Sequence, residues 1–284
     1  MKPTLSLPAP AKLNLMLHIT GRRDDGYHLL QTVFRFVDFA DRIEFSLRDD
    51  SLIQRPQGGA GIPEQHDLVV RAARLLQPRA AVTTPGVDIR VQKNLPTGAG
   101  LGGGSSDAAT TLHALNRLWR CGLDTDTLAQ IGLQLGADVP VFVHGYAAFA
   151  EGVGERLQPL ALPPAWYLLL SPQVHVSTAE IFGAPELTRD CPPLKICDLL
   201  QAGSPHWDNV CTAVVCRRYP QVAEALAMLS QHAPARMSGT GATVFAEFAS
   251  QVEAQNVLQQ LHLPAGWSAV VAQGCDTSPL HQAL

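Results

Sequence analysis

The chain has 284 residues, 46% of them hydrophobic and 16% charged, which is enough for one large or two modest cores and excludes wholesale disorder. Its formal net charge of -4 comes with no Lys/Arg-rich block, only pairs such as Arg22-Arg23 and Arg217-Arg218, so nucleic acid is a poor default partner, while a small anion needs only a local positive site. With no leader-like start and no run of about 18 uncharged apolar residues, neither secretion nor membrane insertion is expected; Cys121, Cys191, Cys197, Cys211, Cys216 and Cys275 lack zinc spacing and read as reduced thiols of a cytoplasmic protein.

The opening is strand-rich. Lys12 to Ile19 is apolar and partly alternating and runs into the polar turn Gly21 to Gly26; Gln31 to Phe39 and Arg42 to Leu47 read as two further strands. Arg55 to Gly61 is a Gly/Pro/Gln loop, after which Asp67 caps a helix with Leu68, Arg71, Ala72, Leu75 and Leu76 at helical spacing. Val87 to Val91 is a short strand, Asn94 to Gly104 a glycine-rich loop, and Ser105 to Trp119 a helix with Ala108, Leu112 and Leu115 on one side. A helix over Thr127 to Leu135 leads into Gly136-Ala-Asp-Val-Pro140, with strands expected around Val141 to Val143 and Tyr146 to Ala150.

Pro159, Pro163 and Pro164 punctuate the chain and suggest two α+β domains, 1–158 and 159–284. The second begins with a strand over Trp166 to Leu170. Helices near Asn209 to Arg217 and Val222 to Leu229, a strand over Thr243 to Phe248, a helix near Gln251 to Leu261 and a strand over Ser268 to Ala272 follow.

Five glycines at Gly98, Gly100, Gly102, Gly103 and Gly104 directly before a helix imply positive φ or close approach of something bulky. The loop and helix start would aim unpaired amide hydrogens, with the helix dipole behind them, at one spot, and phosphate is the natural occupant. Ser105 and Ser106 add hydroxyls for phosphate oxygens or a metal-bound water, and Asp107 is placed in the first helical turn. Gly98, Gly100 and Gly103 match the dinucleotide pattern GxGxxG, but far into the chain and without its acidic partner on a following strand. No Gly-Lys-Ser/Thr ends the loop, and the His-Arg-Asp and Asp-Phe-Gly partners of protein kinases are missing.

Phosphoryl transfer also needs positive charge and a group that orients the acceptor hydroxyl. Asp138, at an expected helix-to-strand junction where Pro140 should hold Val139 extended, is the best carboxylate, and reads otherwise as a turn or capping Asp. Lys12 and Asn14 alternate along the first strand and share one face, either lining a polar site, with Lys12 keeping Asp138 ionised, or facing solvent at an edge. Met237-Ser-Gly-Thr-Gly-Ala242 is either a tight turn or a second-domain loop that closes the site. Tyr27 and His28 form either a stacking and hydrogen-bonding surface for a base or an ordinary core tyrosine beside a surface histidine.

Together these motifs resemble the GHMP small-molecule kinases. The resemblance is carried by Pro8-Ala-Pro-Ala-Lys-Leu-Asn14, Gly21-Arg-Arg-Asp-Asp-Gly-Tyr-His28, Leu95-Pro-Thr-Gly-Ala-Gly-Leu-Gly-Gly-Gly-Ser-Ser-Asp-Ala-Ala109, Gly136-Ala-Asp-Val-Pro-Val-Phe142 and Arg236-Met-Ser-Gly-Thr-Gly-Ala242. It implies an N-terminal domain similar to ribosomal protein S5 domain 2, a ferredoxin-like C-terminal domain, and a cleft between them. The Gly-Tyr-His and Gly-Ala-Asp-Val-Pro forms narrow it to the branch that uses Mg-ATP to phosphorylate the 2-hydroxyl of a cytidine-diphosphate methylerythritol, giving the 2-phosphate and ADP in non-mevalonate isoprenoid biosynthesis.

On that resemblance Asp138 activates the acceptor with Lys12 as electrostatic partner. Pro96, Gly98, Ala99, Gly100, Leu101, Gly102, Gly103, Gly104, Ser105 and Ser106 bind ATP. Asn14 holds the polyol, while Tyr27, His28, Thr178 and Phe182 serve the substrate side, and Ser238, Gly239, Thr240 and Gly241 form the second-domain glycine loop. Magnesium ion is implied with no ligand assigned. Ser177-Thr178-Ala179 departs from the proline-flanked threonine common in the family. The rivals are the same fold acting on homoserine or a mevalonate derivative, a non-catalytic GHMP-fold binding protein, and an NAD-dependent dehydrogenase.

Overall fold

The computed structural model describes residues 4–24, 26–56, 63–200 and 207–284, so Asp25 of the expected turn and most of the loop expected over 55–61 lie outside the described residues. The first half runs β1 (Thr4–Arg22), β2 (His28–Leu47), β3 (Ile53–Gln54), α1 (Leu68–Leu76), β4 (Val87–Gln92), α2 (Gly103–Leu118), α3 (Thr125–Leu133), α4 (Val139–His144), β5 (Ala148–Glu151) and β6 (Arg156–Pro159). The second runs β7 (Trp166–Ser171), α5 (Thr178–Gly183), α6 (Ile196–Leu199), α7 (Thr212–Arg218), α8 (Pro220–Ser230), β8 (Ala235–Met237), β9 (Val244–Phe248), α9 (Gln251–Gln260), β10 (Ser268–Cys275) and α10 (Pro279–Ala283).

The two strands read from Gln31 to Phe39 and Arg42 to Leu47 are one long strand, β2, because its antiparallel partner β1 extends past the gap and pairs Pro10 with Ala40 and Ala9 with Asp41. Shorter strands dock on β2, β4 along one half and β5 along the other. Helices α1, α2 and α4 cover this sheet, and Phe36, Phe45, Leu112, Trp119 and Phe142 fill the space between. Asp67 caps α1 as expected, its side chain accepting from the Val69 amide at 3.0 Å, a bond type that contributes about 1 kcal/mol.

In the second half the antiparallel order is β10-β7-β9-β8, the fourth, first, third and second strands in chain order, with α8 and α9 packed on the sheet. This is the ferredoxin-like arrangement of a split βαβ unit. Leu168, Leu170, Val222, Leu229 and Val244 make its core. The sheets are joined where β10 reaches β2 through Gly274–Val37 and Cys275–Phe36, and α10 returns Leu280 to the first core. A third apolar cluster, including Leu13, Met16, Leu101, Tyr167 and Phe245, packs the seam between the halves.

One expected element has the wrong type. The valines at 141 and 143 do not form a strand but lie in α4, which also contains Val139, the residue that Pro140 was expected to hold extended. Proline is tolerated in the first helical turn, Gly145 at φ 69° ends the helix, and all of Val139 to Val143 is buried. Tertiary burial has overridden the β-branched preference. Helix α2 also begins two residues earlier than expected, at Gly103, which moves Asp107 into its second turn.

Candidate active site

A cleft of about 560 Å³ opens between β1, the β4–α2 loop, the α3–α4 turn, α5 and the β8–β9 loop. Irregularities between Pro10 and Lys12 and between Asn14 and Met16 break the β1–β2 register on either side of Lys12 and Asn14. Bulges of this kind re-aim side chains. Both residues are 3–4% exposed and line the cleft, which removes the solvent-edge reading.

Lys12 Nζ donates to Asn14 Oδ1 and to the Gly100 carbonyl (3.2 Å), lies 3.4 Å from Asp138 Oδ2, and sits 5.5 Å from the Phe34 ring centroid. The amide of Asn14 is oriented from its other side: Nδ2 donates to Thr32 Oγ1 at 2.8 Å, and that hydroxyl donates to the Met16 carbonyl at 2.5 Å. A buried ammonium needs such partners, because desolvation without them is strongly unfavourable. Asp138 occupies the N-cap position of α4 yet its side chain makes no capping bond. Its carboxylate is therefore not spent on the helix; it faces Lys12, with 37% of the side chain exposed.

The glycine loop folds back over this pair. Gly98, Gly100 and Gly102 all have positive φ, and at all three a side chain also lacks space, a Cβ at Gly98 falling 2.2 Å from the His175 ring. A Cβ at Gly100 would lie 2.1 Å from the Ser238 carbonyl oxygen; one at Gly102 would lie 2.8 Å from the Phe142 ring and 3.1 Å from Lys12 Cε. Gly102 is the N-cap of α2, and among the described residues no side chain caps that helix, so the first-turn amides and the positive end of the helix dipole are directed to the cleft.

The second glycine loop locks onto the first. Ser238 Oγ donates to the Gly100 carbonyl at 2.9 Å and accepts from the Asn14 backbone N–H at 3.1 Å, while the Thr243 backbone N–H donates to the Ala99 carbonyl at 3.0 Å. Asn209 holds the loop from behind, donating to the carbonyls of Met237 (2.9 Å) and Gly239 (2.7 Å). The tight-turn reading is thus too weak: Gly239 and Thr240 line the cleft, and the Thr240 and Thr178 hydroxyls are hydrogen-bonded at 2.9 Å.

The cleft wall also contains Pro96, the run from Gly98 to Ser105, Thr178 and Phe182. Ser106 is not on it; it is fully buried, with no hydrogen-bond partner for its hydroxyl among the described residues. Ser238 and Gly241 stand behind the wall. Tyr27 and His28 do not form one platform. The His28 ring stacks on Phe182, with centroids 5.1 Å apart and planes 21° apart, whereas Tyr27 is 61% exposed beside a second depression of about 300 Å³. That depression shares Ala137 and Val153 with the main cleft. Successive residues entering a strand point to opposite sides, so adjacency in sequence separates them in space.

A charged group missed by sequence reasoning closes the far end. Lys93 Nζ donates to Asp107 Oδ2 at 2.8 Å and to Asp41, Arg55 pairs with Asp67, and Arg55, Asp67, Lys93 and Asp107 all line the cleft. Burial pushes the Asp107 carboxyl up to about 7 against the opposing pull of Lys93. Its Oδ1 is buried without a hydrogen-bond partner among the described residues. The available signal was that Lys93 and Asp107 bracket the glycine loop; their mutual contact was not readable from spacing.

The model of the GHMP kinases N terminal domain matches residues 67–146 and that of the GHMP kinases C terminal matches 198–264. The chain is 57% identical over 277 residues to the 4-diphosphocytidyl-2-C-methyl-D-erythritol kinase of Nitrosococcus oceani, covering 98% of this chain and 97% of that one. It is equally 57% identical to the protein of that name from Azoarcus sp., covering 98% and 96%. A crystal structure of 4-(cytidine 5'-diphospho)-2C-methyl-D-erythritol kinase superposes with a TM-score of 0.81 at 34% identity, covering 95% of this chain and 99% of that one. With its two glycine loops meeting beside the Lys12–Asp138 pair, the chain belongs to the GHMP kinases, and within them to the 4-diphosphocytidyl-2-C-methyl-D-erythritol kinase family.

Proposed function

We propose that the chain transfers the γ-phosphoryl group of ATP to the 2-hydroxyl of 4-(cytidine 5'-diphospho)-2-C-methyl-D-erythritol, giving the 2-phosphate and ADP in non-mevalonate isoprenoid precursor biosynthesis. The observation that carries this reading is the Lys12–Asp138 pair, 3.4 Å apart in the cleft, with Lys12 also bonded to the glycine loop at Gly100. Full-length relatives bearing that kinase's name support the acceptor.

The chemistry follows from the placement of these groups. The amides of the loop over Gly98 to Gly104 and of the first turn of α2 hold the nucleotide's phosphates. Asp138 orients the acceptor hydroxyl and takes its proton as the oxygen attacks phosphorus. Lys12 keeps Asp138 ionised before transfer and stabilises negative charge on the attacking oxygen. Asn14 and Thr178 contact the polyol side, Phe182 and His28 serve the cytidine, and Tyr27 approaches from the adjoining depression. The loop at Ser238 to Gly241 holds the phosphate cradle shut from the second half.

Magnesium ion is part of the proposal. Such an ion is held largely by nucleotide phosphates with one or two protein oxygens. The hard oxygens of Ser105, Asp107 and Asp138 on the cleft wall fit that role, and among the described residues no group of three His, Cys, Asp or Glu forms a separate metal cage. When bound, the ion would neutralise phosphate charge. The division at 158/159 and a cytoplasmic setting belong to the same proposal, supported respectively by family matches on either side of that point and by six unpaired cysteines. Among the described residues no helix is long and apolar enough to cross a membrane.

The test is ADP release from Mg-ATP with the cytidine-diphospho-methylerythritol acceptor, beside homoserine and mevalonate, with the product phosphate located by NMR. Turnover with the first acceptor and phosphate on its 2-hydroxyl is expected. Turnover only with a control would overturn the acceptor; none with any, in a folded protein that binds ATP, would overturn the catalytic reading.

A further inference from the structure

His28 and Phe182 come from opposite halves of the molecule, yet one side chain holds both. Arg189, just beyond α5, donates from Nε to His28 Nε2 at 3.0 Å. Its Nη2 donates to the carbonyls of Phe182 (2.8 Å) and Ala184 (2.6 Å), and Nη1 to that of Leu187 (2.9 Å). Every guanidinium nitrogen is engaged, and the fork geometry that allows this belongs to arginine alone. The Phe182 and Ala184 carbonyls lie at the end of α5, the helix that carries Phe182, so Arg189 caps that helix and grips the histidine at once.

A guanidinium has only donors and does not lose its proton in proteins. The imidazole nitrogen facing it must therefore accept, which leaves the ring's hydrogen on Nδ1. The charged groups facing the ring are Arg189 and, from the end of β1, Arg22; both are cationic, and with burial they lower the His28 pKa from its ordinary value. Stacking on Phe182 removes the ring's remaining rotational freedom.

We propose that Arg189 is a positioning residue for acceptor specificity, fixing His28 as a neutral imidazole with its hydrogen on Nδ1 and holding it against Phe182, so that the pair presents one donor beside one aromatic face to a pyrimidine base. Cytosine suits this arrangement because its N3 and O2 are both acceptors, whereas uracil carries a hydrogen on N3. The inference rests on the reading that this end of the cleft takes the cytidine of the acceptor.

The first test is independent of any substrate. In the full chain labelled with ¹⁵N-histidine, the His28 shifts near neutral pH should show a protonated Nδ1 and an unprotonated Nε2, and Arg189→Met should mix the two tautomers and bring the titration back toward that of an ordinary histidine. A protonated Nε2 in the parent chain, or an unchanged spectrum in the variant, overturns the proposal. Kinetically, Arg189→Met should raise KM for the cytidyl acceptor about tenfold or more while kcat and KM for ATP stay within about twofold. Arg189→Lys keeps the charge but not the fork and should behave in the same way. Equal losses for ATP and acceptor, or full recovery with lysine, would overturn the positioning role. A chain that phosphorylates no cytidyl compound would refute the functional reading, and the histidine spectrum would still decide the tautomer; should the variants fail to fold, the parent spectrum decides it alone.

Discussion

The Ser238 hydroxyl is hydrogen-bonded at once to the Gly100 carbonyl (2.9 Å) and the Asn14 amide (3.1 Å), so one buried side chain joins two glycine loops 138 positions apart to the strand that carries Lys12. The glycine-loop wall of the cleft is therefore shaped by both halves of the chain. Replacing Ser238 with Ala removes the acceptor of the Asn14 backbone amide, while the Gly100 carbonyl keeps Lys12 as its donor. A loss of about 1–3 kcal/mol in unfolding free energy is expected, because a buried group left unpaired loses its solvation without return. Urea unfolding with a fitted midpoint and slope measures it; an unchanged midpoint would show that the loops are held by other contacts.

Gly100→Ala should be more severe. The residue has φ 77°, where a side chain is strained, and the added methyl would lie 2.1 Å from backbone, at the Ser238 carbonyl, which cannot rotate away. The two loops would have to separate. Weakened nucleotide binding together with lowered stability is expected, measured by ATP titration in a calorimeter and by thermal unfolding. Retention of parental affinity would mean that the loop contact is not needed to form the phosphate site.

Asp138→Asn tests the role proposed for this carboxylate in activating the acceptor. The amide keeps the shape of the side chain and loses its basicity, while Lys12 retains Asn14 Oδ1 and the Gly100 carbonyl as partners. A fall in kcat of about 10²–10⁴ is expected with little change in ATP affinity, the range typical of a lost proton acceptor. Steady-state rates beside direct ATP binding separate the two effects, and unchanged turnover in the folded variant would remove Asp138 from the chemistry.

Asp107 should leave a signature in the pH dependence of stability. Its folded-state pKa of about 7 lies above the ordinary 3.8, so the fold favours the protonated form. The stability this contributes is complete below about pH 4 and is lost as pH rises through about 7. Asp107→Asn cannot titrate, and Lys93 keeps Asp41 as its carboxylate partner. Unfolding free energies measured from about pH 4 to 8 should thus fall less steeply with pH in the variant than in the parent chain. Identical slopes would place Asp107 outside the titrating set.

Much of this site was legible in order along the chain. A strand with alternating Lys12 and Asn14, a glycine run before a helix, an Asp between Gly136 and Pro140 and a second glycine turn before a strand are local patterns, and local patterns report local backbone geometry. The type of α4 was not legible, because its valines favour strand in isolation and are held as helix by burial. Nor was the separation of Tyr27 from His28, which depends on where a strand begins.

The sequence by itself determined the family, the α+β class and the local elements that carry the site, among them a glycine run before a helix and the residue types at Lys12 and Asp138, because each is encoded in residue patterns at short range. Only the tertiary structure decided that Ser238 latches the two loops, that Lys93 meets Asp107, and that Arg189 holds both His28 and Phe182. These are contacts between distant segments or across a loop, and their geometry arises when the seam between the halves is packed, burying polar groups that must then find partners wherever the fold places them.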